Sequence, residues 1–100
     1  MEPKNRAPHP GKILQKEFLD PLGISQSALA RHIGQPPHVI CEIVNGKRNI
    51  STRMACLLSQ SLNTEPIYWL SHQADYDLSV FWQSDEGERA MALEGIVSCS

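Results

Sequence analysis

The feature that most constrains this chain is a pair of short apolar helical runs joined by a tight turn between residues 25 and 44. The apolar residues of the two runs recur at helical spacing: Leu29, Ala30, Ile33, Ile40, Ile43 and Val44. Ser25 can cap the first helix, and Gly34 lies where a helix tends to close with a left-handed residue. Pro37 is suited to the first turn of the second helix. The sequence therefore predicts helices over 26–33 and 37–44 that meet at the small side chain of Ala30.

Two helices joined in this way form a helix-turn-helix motif, in which apolar positions lock the second helix across the first. The other face of the second helix then stays free, and it fits the major groove of DNA, which is roughly 12 Å wide. Lys47 and Arg48 directly follow this helix. We therefore expect them to flank the groove and neutralise phosphates, each contact steepening the log–log salt dependence of binding by about 0.9.

Three further helices are predicted at 12–19, 52–62 and 65 to about 78. Asp20-Pro21 should end the first of them, because a proline pushes its predecessor out of helical geometry. Ser51 and Thr64 can cap the other two. The last helix carries an apolar stripe that should face inward: Ile67, Leu70, Ala74 and Leu78. Convincing strand alternation is absent before residue 90, so the pattern predicts an all-α, five-helix repressor-like helix-turn-helix domain.

The 100 residues suffice for one modest core. We expect a flexible N-terminal arm at 1–9 and a helix-turn-helix DNA-binding domain with a C-terminal dimerisation helix at 10–80. The tail at 81–100 has no clear pattern, and its residues 90–97 fit either a weak helix or a strand.

The charge of the chain is strongly polarised, although its net value is only −2. Residues 1–53 hold eight Lys/Arg against four Asp/Glu, whereas residues 54–100 hold one against seven. The first half is therefore +4 and the second −6. Because phosphates respond to the local field, the basic half is the candidate DNA-docking face.

Several other classes of protein are disfavoured by the sequence. It has neither a secretory signal nor an apolar run near the roughly 18 residues that span a bilayer, so we expect a cytoplasmic protein without membrane contact. The three cysteines, Cys41, Cys56 and Cys99, form no CxxC pair and should be reduced thiols. Paired carboxylates, a catalytic triad and a metal-ligand set are all missing from the pattern, so we expect no enzyme, no cofactor and no metal.

Several motifs together resemble the HigA antitoxin family, also called virulence-associated protein I, within the repressor-like helix-turn-helix superfamily. They are His9-Pro10-Gly11, the segments at 17–26, 29–31, 42–48 and 73–78, and Trp69-Leu70. The resemblance runs from residue 9 to residue 78. It implies a five-helix homodimer that binds the operator of its own operon and represses it. It also implies a toxin partner of the RelE-like ribonuclease group.

The resemblance also assigns roles to particular residues. It places Gln26 on a phosphate at the start of the helix predicted over 26–33, and Lys47 and Arg48 on the DNA backbone. The groove-facing positions of the helix predicted over 37–44 are Pro37, His38, Val39, Cys41 and Glu42. This chain has His38-Val39 and Cys41 where the family commonly has Ser-Arg and Asn, which supply bidentate base contacts. Base reading should therefore fall on His38, on apolar contact with thymine methyl groups and on DNA shape.

The candidate dimer-interface residues lie along or just after the fifth helix: Trp69, Tyr76, Leu78 and Trp82. They fit either the intramolecular core or an interface between two copies. We favour the interface, because aromatic residues are enriched at interface centres. A repressor of this size also needs two copies to span half-sites one helical turn apart.

The sequence thus predicts a DNA-binding transcriptional repressor that is the antitoxin of a HigB/HigA-type module and regulates its own operon. Two alternatives stay open at this point. One is a stand-alone helix-turn-helix regulator without a toxin, and the other is a protein-binding module that has lost operator affinity.

Overall fold

The computed structural model describes residues 6–97, and this range contains six helices and no strand. The first, α1, is continuous and consists of an α-helix over Pro10–Ile13, a π-helix over Leu14–Leu19 and an α-helix over Asp20–Leu22. The others are α2 Gln26–His32, α3 Pro37–Val44, α4 Thr52–Leu62, α5 Pro66–Trp82 and α6 Asp85–Met91. The predicted all-α helix-turn-helix fold is confirmed, with one more helix than expected. Within the described range, none of the helices has the length and apolar character needed to span a membrane.

The helices α2, α3 and α4 begin where local signals in the sequence place them. The Ser25 hydroxyl accepts a hydrogen bond from the Ala28 N–H at 3.0 Å, and the Ser51 hydroxyl accepts one from the Met54 N–H at 3.1 Å. Pro37 is the first residue of α3, as predicted. Gly34 has a φ of +72°, which an L side chain rarely adopts, so glycine permits the tight turn between α2 and α3.

The expectation that Asp20-Pro21 ends the first helix is wrong, because α1 continues through Pro21 to Leu22. A proline normally breaks a helix, since it has no N–H and its ring collides with the carbonyl one turn back. Here the preceding turn is π-helical, and the Asp20 N–H donates to the Gln15 carbonyl five residues earlier. The wider turn changes which carbonyls lie near the proline ring, and the helix tolerates it.

The core lies between α1, α2, α3, α4 and the start of α5. Its buried apolar residues are Leu14, Leu19, Leu29, Ala30, Val39, Ile40, Ile43, Ile50, Met54, Ala55, Leu58 and Trp69. Trp69 is fully buried and packs against the rings of Phe18 and Tyr68, at centroid distances of 5.2 and 5.1 Å. Its Nε1–H donates to the Thr64 hydroxyl at 2.8 Å. Thr64 therefore anchors Trp69 and does not cap α5 as predicted; the residue before α5 is Glu65, whose side chain makes no cap hydrogen bond.

The predicted inward stripe of α5 is wrong in part: Leu70 is half-buried and packs against the core as predicted, but Ala74 is exposed. Ile67 and Leu78 are 64% and 54% exposed, and the buried residues of this helix are Trp69 and Gln73. The Gln73 side-chain oxygen Oε1 accepts a hydrogen bond from the Ile50 N–H at 2.7 Å, and its Nε2 donates to Asp77 Oδ1 at 2.9 Å. A large indole and a glutamine that satisfies a buried backbone donor thus turn inward beside Leu70, and the rest of the predicted stripe faces outward.

The two ends of the described range differ from expectation. The segment expected as a flexible arm packs against α5 from Arg6 onward: Arg6 Nε donates to Gln83 Oε1 at 3.0 Å, and the Ala7 N–H donates to the Ser79 hydroxyl at 3.1 Å. Residues 1–5 of that predicted arm lie outside the described residues. In the predicted tail, α6 begins at Asp85 after the Ser84 cap, and residues 93–97 form neither helix nor strand.

Candidate nucleic-acid interface

The packing of α2 against α3 fixes the direction in which α3 presents its outer face. Ala30, Ile40 and Ile43 are each fully buried, so the two helices cross at a small residue, as predicted. In the turn, the Gln35 N–H donates to the Ala30 carbonyl at 2.8 Å, and the Val39 N–H donates to the Pro36 carbonyl at 3.0 Å. These bonds connect the end of α2 to the first turn of α3, so the orientation of α3 is set on both sides of the turn.

The outer face of α3 is open to solvent. Pro37, His38 and Cys41 are exposed, as is Asn45 immediately after the helix. Pro37, Cys41 and Asn45 follow one another at intervals of four residues, so they lie along one side of the helix. We call Pro37, His38, Cys41 and Asn45 the reading face. The side chains of the described residues therefore leave this surface uncovered.

Val39 does not belong to the reading face, and its assignment as a DNA contact is wrong. Its side chain is 7% exposed and lies with Met54 and Leu57 beside α4. One residue corresponds to a rotation of about 100° around a helix, which turns Val39 away from the side of His38. The presence of valine at residue 39, where the family commonly has arginine, therefore affects the packing of α3 near α4 and not the DNA-facing surface.

Asn45 is a member of the reading face that the sequence interpretation missed. Asn45 and Gly46 end the helix, and Gly46 takes a left-handed φ of +75°. The spacing of four residues from Cys41 was the signal that could have identified it. Its amide nitrogen lies 3.4 Å from the Cys41 sulfur. An asparagine amide can donate to and accept from an adenine edge, so Asn45 adds hydrogen-bonding capacity to this surface.

Glu42 and Arg48 form an ion pair rather than two separate groups. Arg48 Nη2 lies 2.7 Å from Glu42 Oε1, and Arg48 Nε donates to the same oxygen at 2.8 Å. The hydrogen bond from Arg48 lowers the pKa of the Glu42 carboxyl below its ordinary value. The pair is exposed, so Arg48 stays accessible at the end of α3 while its charge is partly balanced. Lys47 is exposed beside it.

Gln26 lies at the other end of the motif, as the first residue of α2. Its amide nitrogen donates to Gln15 Oε1 at 3.0 Å, and the Gln15 amide nitrogen in turn donates to Asp20 Oδ1 at 2.5 Å. This chain of hydrogen bonds from α1 orients the Gln26 side chain. The Gln26 side-chain amide carries a second hydrogen that can donate a further hydrogen bond.

The four candidate dimer-interface residues have different environments. Trp69 is fully buried in the core of its own chain, so its assignment to an interface is wrong. Tyr76 is half-buried and packs edge-on against the His9 ring at 4.8 Å, while Trp82 is half-buried against Phe81 at 5.2 Å. Leu78 is 54% exposed. It shares the outer side of α5 with two further exposed residues, and we call Ile67, Ala74 and Leu78 the outer stripe.

The arrangement of α2, the turn and α3 defines a helix-turn-helix protein, and comparison with known proteins narrows this class. The helix-turn-helix family matches residues 15–69 of this chain. Virulence-associated protein A' of Dichelobacter nodosus is 47% identical over 73 residues, which cover 72% of this chain and 63% of that protein. The chain thus spans just under two thirds of the length of this relative. Virulence-associated protein I of the same organism is 38% identical over 85 residues, covering 83% of this chain and 79% of that protein.

Solved structures that are similar to this chain point to the same group of proteins. The Pseudomonas aeruginosa antitoxin HigA with the higBA promoter is similar at a TM-score of 0.85 and 32% identity, covering 92% of this chain and 100% of that one. The antitoxin GraA in complex with its operator has a TM-score of 0.85 and 33% identity, covering 98% and 99%. The chain therefore belongs to the helix-turn-helix family, in the group that contains virulence-associated protein I and the HigA antitoxins.

Proposed function

We propose that this protein is a sequence-specific DNA-binding transcriptional repressor and the antitoxin of a HigB/HigA-type module that regulates its own operon. The observation that carries the proposal is the exposed reading face of α3, with Lys47 and Arg48 directly behind it. Two similar structures support it, since one holds an antitoxin HigA with the higBA promoter and the other an antitoxin GraA with its operator. No enzymatic role is part of the proposal.

In this proposal α3 enters the major groove with its reading face toward the base edges. His38 and Asn45 supply the hydrogen bonds to bases, while Pro37 and Cys41 contact thymine methyl groups. Gln26, Lys47 and Arg48 bind phosphates on either side of the groove. Glu42 does not read a base but holds Arg48 in place, because the two side chains are already paired at 2.7 Å.

Binding to DNA from the region upstream of the gene, measured by fluorescence anisotropy at several salt concentrations, tests this proposal. The wild-type protein should prefer that DNA to a scrambled duplex of equal length. His38→Ala should reduce the preference, because each good base contact contributes about 1–3 kcal/mol of discrimination. Cys56→Ala, at an exposed site on α4, is the matched control. A steep salt dependence with no preference for either duplex would instead favour a protein-binding module that has lost operator affinity.

We further propose a homodimer in which the outer stripe of α5 lies at the two-fold axis. Its large apolar side chains, Ile67 and Leu78, are 64% and 54% exposed in the single chain. Leu78→Glu should convert the dimer to a monomer in size-exclusion chromatography with light scattering, whereas Leu22→Glu, at a 60% exposed site on α1, should not. A Leu78→Glu protein that is still dimeric would place the interface elsewhere.

A RelE-like toxin is the proposed protein partner, and family membership is its support. Co-purification with the product of the neighbouring gene tests the pairing. If the chain binds its upstream DNA but no neighbouring protein binds the chain, the stand-alone regulator is the correct reading.

A further inference from the structure

A second basic surface lies beside the end of the recognition helix α3. Residues 6–9, the first turn of α1 and the end of α3 enclose a cleft of about 580 Å³. Its lining includes Arg6 and Lys12 together with Asn45 and Gly46, and among residues 6–97 no Asp or Glu lines it. The volume falls within the roughly 300–1,000 Å³ that is typical of small-molecule sites.

The wall that carries the two cations is held in place by the fold. Arg6 Nε donates to Gln83 Oε1, and the Ala7 N–H donates to the Ser79 hydroxyl of α5. His9 is only 5% exposed, and its Nδ1 accepts a hydrogen bond from the Gly11 N–H at 2.9 Å. The rings of His9 and Tyr76 pack in a T-shaped arrangement with their centroids 4.8 Å apart. The cleft is therefore formed between fixed segments.

Charge and location indicate what the cleft can bind. Two cations without a lining carboxylate attract an anion, and an arginine and a lysine are the side chains that most often bind phosphate oxygens. Lys47 directly follows Gly46 at the edge of the cleft. The cleft thus lies next to the part of the loop that the proposed function places on the DNA backbone.

We propose that this cleft binds a phosphate group through Arg6 and Lys12. The phosphate belongs either to the DNA backbone next to the half-site or to a small phosphorylated molecule. The first source rests on the proposed DNA-binding function, whereas the second does not.

Lys12→Gln tests the proposal, with Lys16→Gln as the matched control, because Lys16 is an exposed lysine of the same helix that does not line the cleft. The first arm measures the salt dependence of binding to upstream DNA. If the cleft holds a backbone phosphate, Lys12→Gln reduces the log–log slope by about 0.9 and Lys16→Gln has a much smaller effect. Circular dichroism verifies that both variants are folded.

The second arm titrates inorganic pyrophosphate into each protein by calorimetry at constant ionic strength. If the cleft holds a free phosphorylated molecule, the wild type and Lys16→Gln bind pyrophosphate and Lys12→Gln binds it at least tenfold more weakly. An effect of Lys12→Gln in either arm that exceeds that of Lys16→Gln supports the proposal. Equal behaviour of the two variants in both arms overturns it. If the wild type does not bind upstream DNA at all, the proposed function fails and the pyrophosphate arm alone decides the cleft.

Discussion

Gly11 sits where α1 touches the backbone of the recognition helix, and replacing it tests the packing that orients the reading face. A Cβ atom at this position would overlap the Ile43 carbonyl oxygen, and it would lie 2.6 Å from the Ile43 carbonyl carbon and 2.9 Å from Val44 Cα. Ordinary van der Waals contact begins at 3.4 Å, so the carbonyl carbon alone requires the two backbones to separate by about 0.8 Å, and the overlap with the oxygen requires considerably more. Backbone atoms cannot relieve the collision by changing rotamer.

We therefore expect Gly11→Ala to destabilise the protein at the upper end of the 1–3 kcal/mol that overpacking costs. For a domain of this size, about 3 kcal/mol corresponds to a fall in Tm of roughly 12–24 °C. Thermal unfolding followed by circular dichroism measures it. Gly95→Ala is the matched control, because among the described residues its added methyl group would meet the Val97 carbonyl oxygen at 3.5 Å, an ordinary van der Waals contact. If both variants melt within 2 °C of the wild type, the close contact between α1 and α3 does not exist as described.

Three further predictions concern single side chains. Thr64→Val leaves the Trp69 N–H without its acceptor, and urea unfolding should show a loss of about 1–3 kcal/mol; an unchanged midpoint would contradict the anchoring role. Burial lowers the pKa of His9 below its ordinary 6.5, so the unfolded chain takes up a proton first as the pH falls. Stability should therefore be full above about pH 6.5 and decrease below it, and His9→Gln should show a weaker decrease in unfolding experiments across pH 5–8. Glu42→Gln removes the carboxylate that partly balances the charge of Arg48, which should tighten binding to any DNA at low salt; an unchanged affinity would show that this ion pair does not lie near a phosphate.

The part of the fold predicted well is the part in which local signals and packing agree. The bounds of α3 and α4 match the predicted ranges 37–44 and 52–62, because a proline or a serine cap fixes each start and the apolar spacing fixes the inner face. The continuation of α1 through Pro21 was not predictable in this way. It depends on a π-helical turn, and the residue pattern of that segment differs little from an ordinary amphipathic helix.

The errors in the candidate site have a common physical origin. Hydrophobic periodicity counts apolar side chains but does not say which of them meet other parts of the chain. On α5, Trp69 and Gln73 lie inward, where the indole packs in the core and the Gln73 side chain accepts a hydrogen bond from the Ile50 N–H. Ile67 and Leu78 therefore lie on the opposite side of the helix, which is exposed. The pairing of Glu42 with Arg48 likewise depends on the turn at Gly46, which brings side chains six residues apart into contact.

Cys41 gives the protein a built-in chemical reporter. Its thiol is exposed in the middle of the reading face, whereas the exposed thiol of Cys56 lies on α4. Alkylation by iodoacetamide, followed by peptide mass spectrometry, should become slower at Cys41 when upstream DNA is added and stay unchanged at Cys56. Equal rates at Cys41 with and without bound DNA would mean that the duplex touches a different surface. The unmodified chain can thus reveal which of its sides is occupied, without a mutation or an attached dye.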